Sequence, residues 1–127
     1  MNSPLHEFIN YRIEKSEQAY ADAKLLAQNE RWNACVNRLY YSIYYIVSAL
    51  ALKENIITQT YSGLKSQFNL HFVKTGKVSI EFGKLYSDLF DSRQKGDYGD
   101  MYDFDKEAID ELITPVGNFI KTIKQLI

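Results

Sequence analysis

Apolar positions recur at steps of three and four along nearly the whole chain, and nowhere alternate at steps of two for long enough to make a strand. Leu5, Phe8, Ile9, Ile13, Tyr20, Ala23, Leu26 and Ala27 predict a first helix over residues 4–28. Ser3 can cap it, and Pro4 suits the first helical position. Asn29-Glu30 reads as a break. Trp32, Cys35, Val36, Leu39, Ile43, Val47 and Leu50 then mark the core stripe of a second helix, from Trp32 to Lys53. A shorter third helix opens at Ser62-Gly63 and ends near Lys74, with Gly76 as its stop. Ser79 is the expected cap of a fourth helix, which turns Phe82, Leu85, Tyr86, Leu89 and Phe90 inward and ends near Lys95-Gly96. Asp97 to Tyr102 reads as a loop, and Asp103 as the cap of a fifth helix starting at Phe104. In that helix Ala108, Leu112, Val116, Phe119, Ile123 and Leu126 face inward, and Pro115 is expected to kink it by removing one helical hydrogen bond. Short connections between such helices predict an all-α, antiparallel up-and-down bundle of four long helices plus one short helix, one domain over residues 1–127.

Composition narrows the function classes more than the fold. With 46% hydrophobic and 24% charged residues the chain is an ordinary globular one, long enough to bury a core unaided. A formal net charge of −1 supplies no global basic field, so any nucleic-acid contact needs a local patch. The longest apolar run, Ile43 to Leu52, is too short for a membrane helix and contains Tyr44, Tyr45 and Ser48. No charged segment followed by an apolar run marks a leader, so a cytoplasmic protein without a membrane partner is expected. The lone Cys35 suits a reducing compartment and a core position. There are no Cys/His pairs for zinc, no glycine-rich phosphate loop and no serine-nucleophile elbow. The spacing of Asp97, Asp100, Asp103 and Asp105 does not match a calcium loop. No metal and no cofactor is therefore expected, and the four aspartates read as a solvated acidic loop.

One surface remains unassigned by these patterns. The chain holds ten tyrosines, and several fall in NRLYYSIYYIVSALAL, Asn37 to Leu52. At 3.6 residues per turn Ala34, Arg38, Tyr41, Tyr45 and Ser48 share one line, with Asn37 and Tyr44 alongside. This stripe is too apolar for a solvated face and too polar for a core. Two readings stay open: an interface between helices or between copies, where Tyr and Arg are enriched, or a cleft in which Arg38 holds a phosphate and tyrosines stack on bases. His71, Arg93 and Tyr98 are further binding candidates, each with a structural alternative. His71 can be a satisfied structural histidine, Arg93 can pair with Asp97 or Asp100, and Lys95-Gly96 can simply end a helix. His6, in the first helical turn, reads as a surface residue.

The segment NRLYYSIYY resembles the signature of HEPN domains, in particular their small stand-alone bacterial members. SGLKSQFNLHFVKTGK (Ser62 to Lys77) and LFDSRQKGDYGD (Leu89 to Asp100) are similar to further segments of that family, and the resemblance spans about Arg12 to Leu126. It implies a helical bundle that dimerises through the motif-bearing helices. It also implies a metal-independent RNase or a toxin paired with a nucleotidyltransferase-type antitoxin. The family's catalytic motif is an arginine followed four to six residues later by a histidine. Arg38 matches the arginine, but the histidine window holds Ile43, Tyr44 and Tyr45, with Tyr45 in the expected slot. A tyrosine, with a pKa of about 10, is a poor proton acceptor near pH 7, where a histidine at about 6.5 would serve. The expectation is a homodimeric, toxin–antitoxin or defence-type module for RNA or nucleotide that lacks its usual proton carrier. The alternatives are an RNase with a rearranged site, using His71 or Tyr45, and a purely structural interaction domain.

Overall fold

The computed structural model describes residues 3–99 and 102–127. Helix α1 is Pro4–Gln28, α2 Trp32–Lys53, α3 Tyr61–Phe68, α4 Ile80–Tyr98 and α5 Lys106–Leu126. A π turn, Asn69–Val73, extends α3. The chain is thus an all-α bundle of four long helices and one short one, with no strand among the described residues.

The helix ends follow from local chemistry. Ser3, Thr60, Ser79 and Asp105 are extended residues whose side chains accept from the backbone N–H groups of His6, Gly63, Phe82 and Ala108. Each satisfies a donor that the first turn leaves without a partner. Helices α1 and α2 end alike. Glu30 (φ 59°) and Asn55 (φ 57°) turn left-handed, and the next N–H groups, of Arg31 and Ile56, bond back to Leu26 and Ala51. Gly76, at φ 82°, provides the expected turn after the third helical segment.

Four boundaries or placements differ from the sequence reading. The third segment starts at Tyr61, because Thr60 supplies the cap, and widens into the π turn before Lys74. Asp105 caps α5 in place of Asp103, whose carboxylate instead accepts from Asn33 Nδ2 at 3.4 Å. Helix α4 runs through Gly96 to Tyr98, so Asp97 belongs to a helix turn and not to a loop; Asn37 and Arg93 hold that turn down. Gly96 lets the Phe104 ring lie against the helix, where a Cβ would come within 2.9 Å of it. On α1, Leu5 and Phe8 point outward, 49% and 62% exposed. The buried line is Ile9, Ser16, Ala19 and Ala23; Leu5 lies a turn before it and Phe8 about 100° off it.

The topology can be read from cross-links between helices. Ser16 Oγ donates to the Ser42 carbonyl at 2.6 Å and Arg12 Nη1 to the Ser48 carbonyl at 3.3 Å, so α1 and α2 run antiparallel. Tyr20 Oη donates to the Ile113 carbonyl at 2.7 Å and Lys124 pairs with Glu17, so α5 is antiparallel to α1. Asn37 to Asp97 and Tyr40 to Phe90 set α4 antiparallel to α2. Helix α2 lies centrally, with twelve buried residues, including the expected Cys35, Val36, Leu39, Ile43, Val47 and Leu50. Burial pushes the Cys35 thiol up to about 11, which makes it a poor thiolate source. Phe68, Phe82, Tyr86 and Phe119 close the core on the α3 side, with ring centres 5.3–6.3 Å apart. Truncating a core side chain such as Leu39 to Ala should cost about 2–5 kcal/mol.

A candidate anion-binding face on α2

The outward stripe of α2 meets the end of α4, and the two helices share a chain of polar contacts there. Arg38 Nε and Nη2 donate to Asn37 Oδ1 at 3.0 and 2.8 Å. Asn37 Nδ2 donates to Asp97 Oδ2 at 2.9 Å, and Arg93 Nη1 lies 3.6 Å from the same oxygen. Two guanidinium groups therefore share one carboxylate, and Arg38 reaches it only through a neutral amide. No carboxylate among the described residues forms an ion pair with Arg38.

The arginines sit against rings. Arg38 Cζ is 5.0 Å from the centre of Tyr41. Arg93 Cζ is 5.0 Å from Tyr40 and 5.8 Å from both Tyr41 and Tyr61. Arg93 is only 7% exposed, and its Nε finds no hydrogen-bond partner among the described residues. Ring faces offset part of the cost of burying that cation. Tyr41, Tyr44 and Tyr61 meet edge-on, with centres 4.9–6.2 Å apart, and Tyr45 adds to the edge 5.3 Å from Tyr44. Burial raises the pKa of Tyr41 and Tyr44; the Tyr61 contact raises Tyr41 further, and Arg12 draws Tyr44 partly back. These hydroxyls are donors at neutral pH.

The structure brings together Asn37, Arg38, Tyr41, Tyr44, Tyr45 and Arg93 among the sequence candidates. His71 and Tyr98 stand apart. His71 is exposed on the π turn, where Nε2 shares a hydrogen bond with Gln67 Oε1 at 2.9 Å, and it lines a separate hollow with Glu54, Asn55 and Lys77. Tyr98 is 77% exposed beside Asp91 and Lys95. Two members of the cluster were missed, and a third, Asp97, was named as a partner for Arg93 but placed in a loop. Tyr40 is fully buried beneath Arg93, and Tyr61 arrives from the start of α3. Tyr40 follows Leu39 on the inward side of α2, a placement its helical position could have given. No sequence periodicity points to Tyr61. Among the described residues no group of three or more His, Cys, Asp or Glu side chains is placed to hold a metal ion, and no helix is long and apolar enough to cross a membrane.

A five-helix bundle with an arginine–tyrosine stripe on its central helix defines a class of protein. The comparisons name it: a sequence model of the HEPN domain matches residues 9–126, and the chain belongs to that family. It is 40% identical to a UPF0332 protein of Thermotoga maritima over 121 residues, 95% of this chain and 92% of the relative. Two Methanocaldococcus jannaschii proteins bearing the name "Putative toxin" are also similar. One is 32% identical over 116 residues, 91% of this chain and 79% of its own length; the other is 29% identical over 125 residues, 98% and 92%.

Proposed function

We propose that this chain is a toxin-type HEPN module that holds a phosphate group of RNA or a nucleotide at Arg38 and has no strong ribonuclease activity of its own. The observation that carries the reading is the half-buried Arg38 guanidinium, stacked on Tyr41 and, among the described residues, bonded only to an amide oxygen. A guanidinium in that setting has donors to spare and a weakened hydration shell, so a charge-assisted contact to phosphate is strengthened. Tyr41, Tyr44 and Tyr45 offer ring surface for bases beside it. The relatives named as toxins favour the toxin class; a nucleotidyltransferase-type antitoxin as the partner and a homodimer as the working form are what the family resemblance adds to this proposal.

Catalysis is the weak half of the site. Tyr45 occupies the position where the family motif has histidine, and His71 lines a different hollow from Arg38. A missing general acid or base forfeits about 10²–10⁴-fold in rate. The test incubates wild type, Arg38→Ala and Tyr45→His with a mixed RNA pool, following both cleavage and binding. Expected are binding that Arg38→Ala weakens, negligible wild-type cleavage, and cleavage gained by Tyr45→His. Robust wild-type cleavage abolished by Arg38→Ala would overturn the catalytic half, and equal affinity of wild type and Arg38→Ala the binding half. Light scattering should return twice the 14.8 kDa chain mass.

A further inference from the structure

A groove of about 480 Å³ runs between α4 and α5. Phe82, Leu85, Phe104, Ala108, Leu112 and Pro115 form its floor, and each stays half-buried. Two of its walls are fixed. The Phe104 ring lies against Gly96, and the Phe104 N–H donates to Asn33 Oδ1 at 2.8 Å. Phe82 packs edge-on against Phe119, with ring centres 5.3 Å apart. The rim is acidic. Glu81, Asp88 and Glu111 are exposed there with a single cation, Lys84, and none of the four forms an ion pair among the described residues. Three carboxylates against one ammonium leave the rim at −2. Pro115 gives no N–H to the Glu111 carbonyl, so that acceptor lacks its ordinary helical donor. The groove faces away from the α2 stripe. Its lining comes from α4, from α5 and from Phe104 just before α5. Asp88 stands roughly 140° around α4 from Arg93 at helical spacing. A dimer formed through α2 therefore leaves the groove open.

We propose that this groove docks a basic amphipathic helix of a partner protein, with apolar residues at i, i+4 and i+7 on the floor and Lys or Arg against Glu81, Asp88 and Glu111. From Glu81 to Ser92 the groove spans about 16 Å at the helical rise, the length of three helical turns. The occupant is helical because the floor is apolar and Ser92 is the one neutral hydrogen-bonding side chain along it. An extended segment would bury amides without partners there, whereas a helix satisfies its own. Walls already held by Gly96, Asn33 and Phe119 lower the ordering cost of docking. The acidic rim repels phosphate, so nucleic acid is not the occupant. Nor is a second copy, because a two-fold contact would set one acidic rim against the other. The proposal stands independently of the phosphate reading of Arg38.

The test titrates the full chain with a labelled leucine–lysine peptide of three to four helical turns, its leucines at i, i+4 and i+7, following fluorescence anisotropy and amide NMR shifts. Wild type should bind it saturably, with the shifts gathered on Phe82, Leu85, Ala108 and Leu112. Asp88→Lys together with Glu111→Lys turns the rim from −2 to +2 and should weaken binding about tenfold or more at low salt. Both positions are exposed and unpaired among the described residues, and Glu81 is left in place because it suits the first turn of α4. Ala108→Gln, which puts a polar side chain on the floor, should weaken binding with the circular dichroism unchanged. Arg38→Ala should bind the peptide as wild type does, and a peptide with glutamates in place of lysines should not bind. Equal binding of the acidic peptide, or undiminished affinity in the Asp88→Lys, Glu111→Lys variant, overturns the proposal. So do shifts gathered on the exposed Leu5, Phe8 and Tyr11 of α1, or a loss of binding in Arg38→Ala. Conversion of a dimer to monomer by the double variant would make the groove an interface between copies and overturn it as well. An absence of saturable wild-type binding overturns it and leaves the reading of Arg38 untouched, since phosphate affinity is measured on other residues.

Discussion

Asp97→Asn should exchange stability for anion affinity. The carboxylate is the one ion-pair partner of Arg93 among the described residues; the Arg93 side chain is 8% exposed, and the carboxylate lies 3.6 Å away on the last turn of α4. At that separation and an effective dielectric of about 20, a unit charge pair is worth roughly 4–5 kcal/mol before desolvation. Much of this is offset. Asp97's own side chain is 25% exposed, the pair is single-pronged, and the Tyr40 ring already holds the cation. Asparagine also keeps an acceptor for Asn37 Nδ2, so the hydrogen bond at 2.9 Å can survive. What is lost is the counterion of a buried cation, for which about 2 kcal/mol is reasonable, below the usual cost of stripping a fully buried pair. Urea denaturation should show this as a lower midpoint with an unchanged slope. The same change leaves two guanidiniums without a carboxylate. Phosphate should then stabilise the variant more than the wild type, because an anion that binds only the folded state raises its stability. A variant as stable as wild type to within about 0.5 kcal/mol, the range of a neutral surface change, would refute the claim that Asp97 is Arg93's counterion. Equal response of the two proteins to phosphate would refute the claim that the carboxylate occupies an anion's place.

Two further outcomes follow from the packing. A Cβ on Gly117 would sit 2.6 Å from Tyr20 Oη and drive it off the Ile113 carbonyl, so Gly117→Ala should destabilise by about 1 kcal/mol despite its helix propensity. In a Tyr20→Phe background, which lacks that oxygen, the same substitution should cost clearly less; equal costs in both backgrounds would exclude the contact as the cause. Burial raises the pKa of Tyr20, Tyr40, Tyr41, Tyr44 and Tyr86, so the folded state favours their neutral form. The tyrosines' contribution to stability should be constant well below pH 10 and be lost as pH rises through the unfolded tyrosine value of about 10 toward the folded values, with a smaller loss from the raised Cys35 thiol setting in from about pH 8.5. A spectrophotometric titration should show Tyr40 and Tyr86 ionising only with unfolding, and a smooth titration of all ten tyrosines in folded protein would contradict this.

The sequence by itself determined the helices. Periodicity located α1 and α2 at the bounds the structure shows, because long amphipathic helices carry their burial pattern in every turn. It also gave the Arg38–Tyr45 stripe, whose members share a face through helical geometry alone. It misjudged the end of α4, where Gly96 reads locally as a stop. The helix runs two residues further, held by the Arg93–Asp97 pair inside it, which the sequence offered, and by contacts from Asn37 and Phe104, which the local pattern does not show. The same limit applies to the site. Arg12 comes from α1, Tyr61 from the start of α3, and Arg93 and Asp97 from α4, and no spacing along the chain relates them to Arg38. Only the antiparallel packing of α1 and α4 on α2 decided that these charges and rings face one another. It also decided that His71 does not, because side chains on different helices meet through packing and not through sequence distance.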